Sequence, residues 1–280
     1  MLKLVIMSDI HILPPQEVKF GLDTAERFEK AIADVNEFYD DADLCVYAGD
    51  IADKGKIESY QLFDKIRQNN PVKSLVMMGN HDDRDVYLDY DKDAMADENG
   101  FVQGAVEIKG YRIIMLDSSE PGRVEGILCA TRLKWLANQL ALAKAAQTPV
   151  ILILHHNANR LHMPVDTYRL TESENLAITL KQSGAQIAQI IAGHCHITTA
   201  GSWHGFPIAT LSGNQHRVGQ YFKNMINHQQ PCYEGPAQFA VIIADETNLT
   251  VHFHNYVDRN IQLPNAMFPW KRNAVFETKE

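Results

Sequence analysis

The sequence predicts an α/β sandwich, and three features carry that reading. Short apolar runs bounded by Asp, Gly or Asn recur along the chain; amphipathic helical patterns separate the early ones; and beyond Gly193 strand-like runs follow one another with no helix between them. At 280 residues, 45% hydrophobic and 22% charged, the chain can bury a substantial core as one large domain or two small ones.

The runs are Leu2 to Met7, Leu44 to Ala48, Ser74 to Met78, Tyr111 to Leu116, Val150 to Leu154 and Ile187 to Ala192. Their apolar residues are continuous rather than alternating, as in strands buried on both faces. Asp23 to Tyr39 reads as a helix burying Phe28, Ile32, Val35 and Phe38, and Ile57 to Gln68 as one burying Tyr60, Leu62, Phe63 and Ile66. Strands and helices in alternation make βαβ units with right-handed crossovers. Thr131 to Ala146 is an Ala- and Leu-rich helix stopped by Pro149, and Thr171 to Glu174 supplies a cap for a helix running to about Lys181. Thr198 to Trp203, Pro207 to Leu211, Phe239 to Ala244 and Leu249 to His254 then add antiparallel strands. Two irregular stretches, Asn157 to Tyr168 and Gly219 to Ala237, are longer than ordinary connections and suit lid or subunit-contact roles.

Composition excludes several classes. A net charge of −9 with scattered Lys and Arg disfavours a nucleic acid polymer as partner. The longest apolar runs, such as Val150 to Leu154, fall far short of the ~18 residues that span a bilayer, so no membrane partner is expected. The N-terminal run is cut off by Asp9 before it reaches signal-peptide length, and the expected location is cytoplasmic. Cys45, Cys129, Cys195 and Cys232 form no CxxC pair, so neither a disulfide framework nor a structural zinc site is indicated.

The informative residues are those that end the strands. Met7 is followed by Ser8-Asp9-Ile10-His11, Ala48 by Gly49-Asp50, Met78 by Gly79-Asn80-His81-Asp82, Leu154 by His155-His156-Asn157, and Ala192 by Gly193-His194-Cys195-His196. Singly, each is explained as a turn, a cap or a solvated loop. Together they place carboxylates, an amide and several imidazoles at successive carboxyl ends of strands, where ligands of open α/β sheets bind, and a metal site is the favoured reading. Oxygen and nitrogen donors disfavour thiolate zinc or iron–sulfur chemistry. Seven such donors are too many for one tetrahedral ion and suit two ions about 3.5 to 4 Å apart. Two divalent ions (+4) less Asp9 and Asp50 (−2) leave about +2, which attracts a phosphate despite the acidic surface.

The motifs D-x-H, GD, GNHD, HH and GHxH, in this order from Asp9 to His196, resemble the calcineurin-like metallophosphoesterase family. "MSDIH", "AGDI", "GNHDDR" and "LDSS" are similar to its class III cyclic nucleotide phosphodiesterase and glycerophosphodiesterase group. The resemblance implies a four-layer α/β/β/α sandwich of the metallo-dependent phosphatase type, mixed sheets with helices outside, over residues 1–257, followed by a tail, 258–280. It implies Asp9, His11 and His196 on one ion, Asn80, His155 and His194 on the other, and Asp50 bridging, with Fe, Mn, Zn or Co as the metals. His81 would contact the phosphate and aid the leaving group, with Asp82 orienting it. Asn80 would also touch substrate; His216 and Arg160 are further candidates for substrate contact. The loop after His155-His156 reads Asn157-Ala158 where the group often has Pro-Pro. The activity implied is hydrolysis of a small phosphodiester, a cyclic nucleotide or a glycerophosphodiester, by in-line attack of a metal-bridging hydroxide. Alternatives are a phosphomonoesterase or protein phosphatase of the same family, and a non-catalytic metal-binding regulatory protein. Within "GHCH", Cys195 is expected to face away from the metals into packing. The aromatic Phe268 and Trp270 of the tail suggest packing on the domain or in a homo-oligomer.

Overall fold

The computed structural model describes residues 1–220 and 232–258. In chain order these form β1 (Leu2–Met7), α1 (Thr24–Phe38), β2 (Leu44–Ala48), α2 (Ile57–Arg67), β3 (Ser74–Met77), α3 (Arg84–Tyr90), β4 (Gly104–Ile108), β5 (Tyr111–Leu116), α4 (Ala130–Ala146) and β6 (Val150–Leu154). A 3-10 turn (Pro164–Tyr168), α5 (Ser173–Ser183), β7 (Ile187–Ala192), β8 (Thr199–Trp203), β9 (Phe206–Thr210), β10 (Arg217–Val218), β11 (Cys232–Tyr233), β12 (Ala237–Ala244) and β13 (Leu249–Val257) follow.

Two sheets face each other. One has the order β13-β12-β1-β2-β3, the other β4-β5-β6-β7-β9-β8, and a short β10-β11 ribbon stands apart. Strands β1, β2 and β3 are parallel, as are β5, β6, β7 and β9; β12, β13, β4 and β8 pair antiparallel at the flanks. The side chains of Leu2, Leu4, Ile6, Leu44, Val46, Ile113, Ile151, Ile153 and Ile191 fill the space between the sheets. The opposite face of the first sheet packs on α1 and α2 through Val5, Phe28, Ile32, Tyr47 and Phe63. That of the second packs on α4 and α5 through Leu152, Ile190, Leu136, Leu140, Leu176 and Leu180. The result is the expected four layers, and continuous apolar strands are required because each sheet is covered on both faces.

Several local expectations need correction. Phe38 is 53% exposed, whereas Phe28, Ala31, Ile32 and Val35 carry the buried face of α1, because the stripe has rotated outward by the last turn. Leu62 is only half-buried. Helix α5 starts at Ser173 after Glu172 in a left-handed conformation without a side-chain cap, and it ends at Ser183, where Gly184 adopts φ +61. Thr171 uses its hydroxyl on the Gly126 carbonyl instead. Sequence reasoning missed α3, a short Asp-rich segment capped by the Asp83 side chain on the Val86 amide (3.1 Å), and β4, an edge strand with no buried residue. Within the two irregular stretches, Asn157 to Tyr168 contains the 3-10 turn and Gly219 to Ala237 contains β11; the tail aromatics Phe268 and Trp270 lie outside the described residues.

Phe28→Ala is expected to cost about 3–5 kcal/mol, and Phe38→Ala about 1 kcal/mol or less. Denaturant midpoints at equal slope measure both, and equal losses would contradict the orientation of α1.

Candidate metal centre

The carboxyl ends of the parallel strands of both sheets meet at one edge of the sandwich. Hydrogen bonds join them directly. His155 Nδ1, beyond β6, donates to the Ala48 carbonyl that ends β2 (2.9 Å), and the His194 amide, beyond β7, donates to the Asp9 carboxylate beyond β1 (3.0 Å). These approaches leave no room for side chains at three positions. A Cβ on Gly79 would lie 2.2 Å from Asp50 Oδ1, one on Gly193 1.9 Å from Ser8 Oγ, and one on Gly213 2.5 Å from Asp9 Cβ.

Asp9 and Asp50 are buried at 0% and 2% exposure. Asp50 Oδ2 lies 3.4 Å from His11 Nε2 and 3.3 Å from His155 Nε2, and Oδ1 accepts the His81 amide at 2.9 Å. Asp9 Oδ1 lies 3.5 Å from His196 Nε2, which is 3.2 Å from His11 Nε2. Donor atoms of Asp9, His11 and His196 therefore converge, as do those of Asp9, Asp50 and His155.

The other nitrogen of each ring faces an oxygen of a neighbouring residue. His11 Nδ1 lies 3.2 Å from the Asp53 carboxylate, His155 Nδ1 donates to Ala48, His196 Nδ1 donates to the His216 carbonyl (3.0 Å), and the His194 ring hydrogen-bonds the backbone of Tyr168. Orienting acceptors of this kind fix the tautomer and aim the free nitrogen. His194 Nε2 and the Asn80 side-chain oxygen are buried without any hydrogen-bond partner, and His155 Nε2 faces only the Asp50 carboxylate. Buried polar atoms without partners are costly, and cations are one way to satisfy them. This set of imidazole nitrogens and hard oxygens suits Fe, Mn, Zn or Co.

His156 also lies near His155 and His194. Both its nitrogens are occupied: Nδ1 accepts from the Ser118 hydroxyl (2.8 Å) and Nε2 donates to the Val124 carbonyl (3.1 Å). It is a packing and bracing residue, held neutral by burial and by the neighbouring His194. Cys195 lies among Leu161, Met163 and Ile197, and burial pushes its thiol up to about 12. It faces away from the cluster, but for a reason other than strand alternation: β7 ends at Ala192, and His194 and His196 both adopt left-handed backbone, φ +67 and +50.

Asp82 departs from its expected role. Its carboxylate accepts the amides of Ile51 (3.1 Å), Ala52 (2.9 Å) and Gly79 (2.9 Å) and the Tyr60 hydroxyl (3.2 Å), so it staples the loops after β2 and β3 together. His81 is instead oriented by the Asp53 carbonyl, which its Nδ1 reaches at 2.8 Å, and its ring is 35% exposed. Asp53 was missed in the sequence, as were Ser118 and Asn214. The signal for Asp53 was its position three residues after Asp50 in "GDIAD", and Lys19 Nζ (2.8 Å) offsets its charge. His216 is half-buried and stacks on His196 with centroids 4.0 Å apart. Arg160 is exposed and lines a separate groove with Arg169, Thr199 and Trp203, which shares no residue with the cluster.

Electrostatics follow from burial and proximity. Burial opposes a charge on His155, yet the Asp50 carboxylate outweighs it and raises His155 to about 9. Asp50 is held well below the usual carboxylate range against its burial by His155 and His11. Burial and the charge of His155 push His194 down to about 4.

Residues 2–198 match the sequence model of the calcineurin-like phosphoesterase family. The chain is 29% identical over 259 residues to a probable cyclic nucleotide phosphodiesterase of Rhodopseudomonas palustris, covering 90% of this chain and 91% of that protein. It is 29% identical over 219 residues to a probable glycerophosphodiester phosphodiesterase of Arcobacter nitrofigilis, covering 76% and 79%. Its fold is similar to that of a dimetal phosphatase from Danio rerio, with a TM-score of 0.67 at 15% identity over 92% of this chain and 97% of that one.

Two outcomes are expected. Cys195→Ser retains metal content measured by mass spectrometry, whereas His194→Ala and His196→Ala each lose one ion. Because the Asp50 carboxylate raises His155 to about 9, cation binding at its Nε2 is expected to compete with a proton. Calorimetric metal titration in buffers of different ionisation enthalpy is expected to show proton release, with affinity rising towards pH 9 and falling below it.

Proposed function

The chain belongs to the calcineurin-like phosphoesterase family, and on that premise we propose that it is a metal-dependent phosphodiesterase acting on a small diester, a cyclic nucleotide or a glycerophosphodiester. The observation that carries this reading is the convergence of donor atoms of Asp9, His11 and His196 and of Asp9, Asp50 and His155, with His194 Nε2 and Asn80 Oδ1 buried without a hydrogen-bond partner. Asp9, His11 and His196 would hold one ion, Asn80, His155 and His194 the second, and Asp50 both. When bound, two such ions supply Lewis acidity and an acidified water for in-line displacement at phosphorus.

The chain's own groups do the rest. The Asp53 carbonyl accepts from His81 Nδ1, which leaves Nε2 of that half-exposed ring as the atom that, in the doubly protonated ring, would deliver a proton towards the departing alkoxide. The His81 amide on Asp50 Oδ1 ties the position of this ring to the carboxylate at the centre of the cluster. His216, stacked on His196, and Asn80, beside His81, are proposed substrate contacts.

A diester is favoured over a dianionic monoester by the disposition of the arginines. Arg84 is committed to Asp117 (2.9 Å) and to the carbonyl and hydroxyl of Ser119. Arg217 hydrogen-bonds Gln220, and Arg160 lies on its separate groove. The names of the two relatives, a probable cyclic nucleotide phosphodiesterase and a probable glycerophosphodiester phosphodiesterase, support the same class. No helix of the described residues is long and apolar enough to cross a membrane, and a cytoplasmic location is part of the proposal.

His81→Ala is expected to leave a folded, metal-loaded protein whose turnover of bis(p-nitrophenyl) phosphate falls by about 10²–10⁴. Wild-type turnover of that diester exceeds that of p-nitrophenyl phosphate. An unchanged rate in the variant, or a preference for the monoester, would sink the assignment.

A further inference from the structure

Beyond β9 the chain runs Ser212-Gly213-Asn214-Gln215-His216, and every polar group of Asn214 is engaged. Its amide donates to the Asp9 carbonyl (3.2 Å), alongside that of Gln215 (3.3 Å). Its side-chain nitrogen donates both to the Ile10 carbonyl (2.9 Å) and to the Thr24 carbonyl (3.0 Å), and the Thr24 hydroxyl in turn donates to the His11 carbonyl (2.8 Å). The side-chain oxygen accepts from the Tyr256 hydroxyl (2.6 Å) and the carbonyl from Arg27 Nε (2.7 Å). All three carbonyls of the Asp9-Ile10-His11 segment are thus held by Asn214 itself, by its neighbour Gln215 or by its partner Thr24.

That segment needs holding. Asp9 and His11 adopt φ +54 and +51, conformations that side-chain-bearing residues populate only when their surroundings enforce them. Gly213, at φ +76, packs where a Cβ would strike Asp9, bringing Asn214 within reach. Asn214 is 2% exposed, so its donors cannot be replaced by water without opening the core. The Ile10 and Thr24 carbonyls, which can only accept, fix which way round the amide sits, and its oxygen is then satisfied by the Tyr256 hydroxyl.

We propose that Asn214 is a positioning residue for the metal centre: with its oxygen satisfied by Tyr256 of β13, it locks Asp9 and His11 in the strained conformation that presents their side chains to one ion. The proposal rests on the metal-centre reading given above. It makes the last described strand part of the site although no residue of that strand touches the cluster.

Asn214→Asp tests it, since the shape is kept while the two side-chain donors become an oxygen facing two carbonyls. Metal-free protein is titrated with Mn²⁺ by calorimetry. The wild type is expected to show two binding events, and Asn214→Asp a 10- to 100-fold loss confined to one of them. Turnover of bis(p-nitrophenyl) phosphate then shifts to higher Mn²⁺ and recovers at saturation with KM unchanged, which a merely destabilised protein would not do. Tyr256→Phe, which keeps both donors, weakens the same event by a smaller, few-fold factor. If Asn214→Asp does not fold, Tyr256→Phe decides. A wild type that binds no ion overturns the metal-centre reading; a wild type that binds two, with variants of unchanged affinity, overturns only the role of Asn214.

Discussion

Two carboxylates, Asp9 and Asp50, are buried at the meeting point of two sheets, and the rest of the site answers to that constraint. A buried anion is tolerated only when it is hydrogen-bonded and faced by positive charge. Asp50 gathers His11 and His155 around one oxygen and a backbone amide on the other; Asp9 takes the His194 amide and the approach of His196. Gly79, Gly193 and Gly213 follow from the same constraint, since each lies where a Cβ would collide with one of these carboxylates or with Ser8.

The backbone bears a cost for this arrangement. Asp9, His11, Asp50, His194 and His196 all adopt positive φ, at about 1–3 kcal/mol apiece for residues with side chains. Backbone and side-chain hydrogen bonds enforce the strain: the Asp9 amide is held by the Gly49 carbonyl, the His11 amide by the Asp50 carbonyl, and the three carbonyls from Asp9 to His11 by Asn214, Gln215 and Thr24. The histidine rings are braced at Nδ1 in the same way, so their Nε2 atoms need no rearrangement to meet an ion. Preorganisation of this kind is what distinguishes a built metal site from a chance gathering of polar side chains.

His156 and Asp82 show why motif position alone does not settle a residue's role. Both sit inside strand-end motifs, one beside His155 and one beside His81. His156 spends its two nitrogens on Ser118 and Val124, and Asp82 spends its carboxylate on three amides and a hydroxyl. Asp53, outside every motif that was singled out, takes over the bracing of both His11 and His81. Hydrogen-bond partners far apart in sequence decided each of these cases.

The sequence by itself determined the long buried strands and put polar side chains just beyond five of them. Continuous apolar runs such as Val150 to Leu154 can only be strands covered on both faces, and a residue directly beyond such a strand has nowhere to go but its carboxyl edge. Short elements escaped it: α3 and β4 are stabilised by a side-chain cap and by an edge pairing, which leave little periodic trace. Only the tertiary structure decided which nitrogen of each imidazole is free, that Cys195 points into the apolar cluster with Leu161 and Ile197, and that Asn214 grips the segment from Asp9 to His11 across about two hundred residues of chain. The physical reason is that periodicity and turn chemistry act over a few neighbouring residues. Donor orientation and strain are set instead by contacts whose partners the chain brings together only on folding.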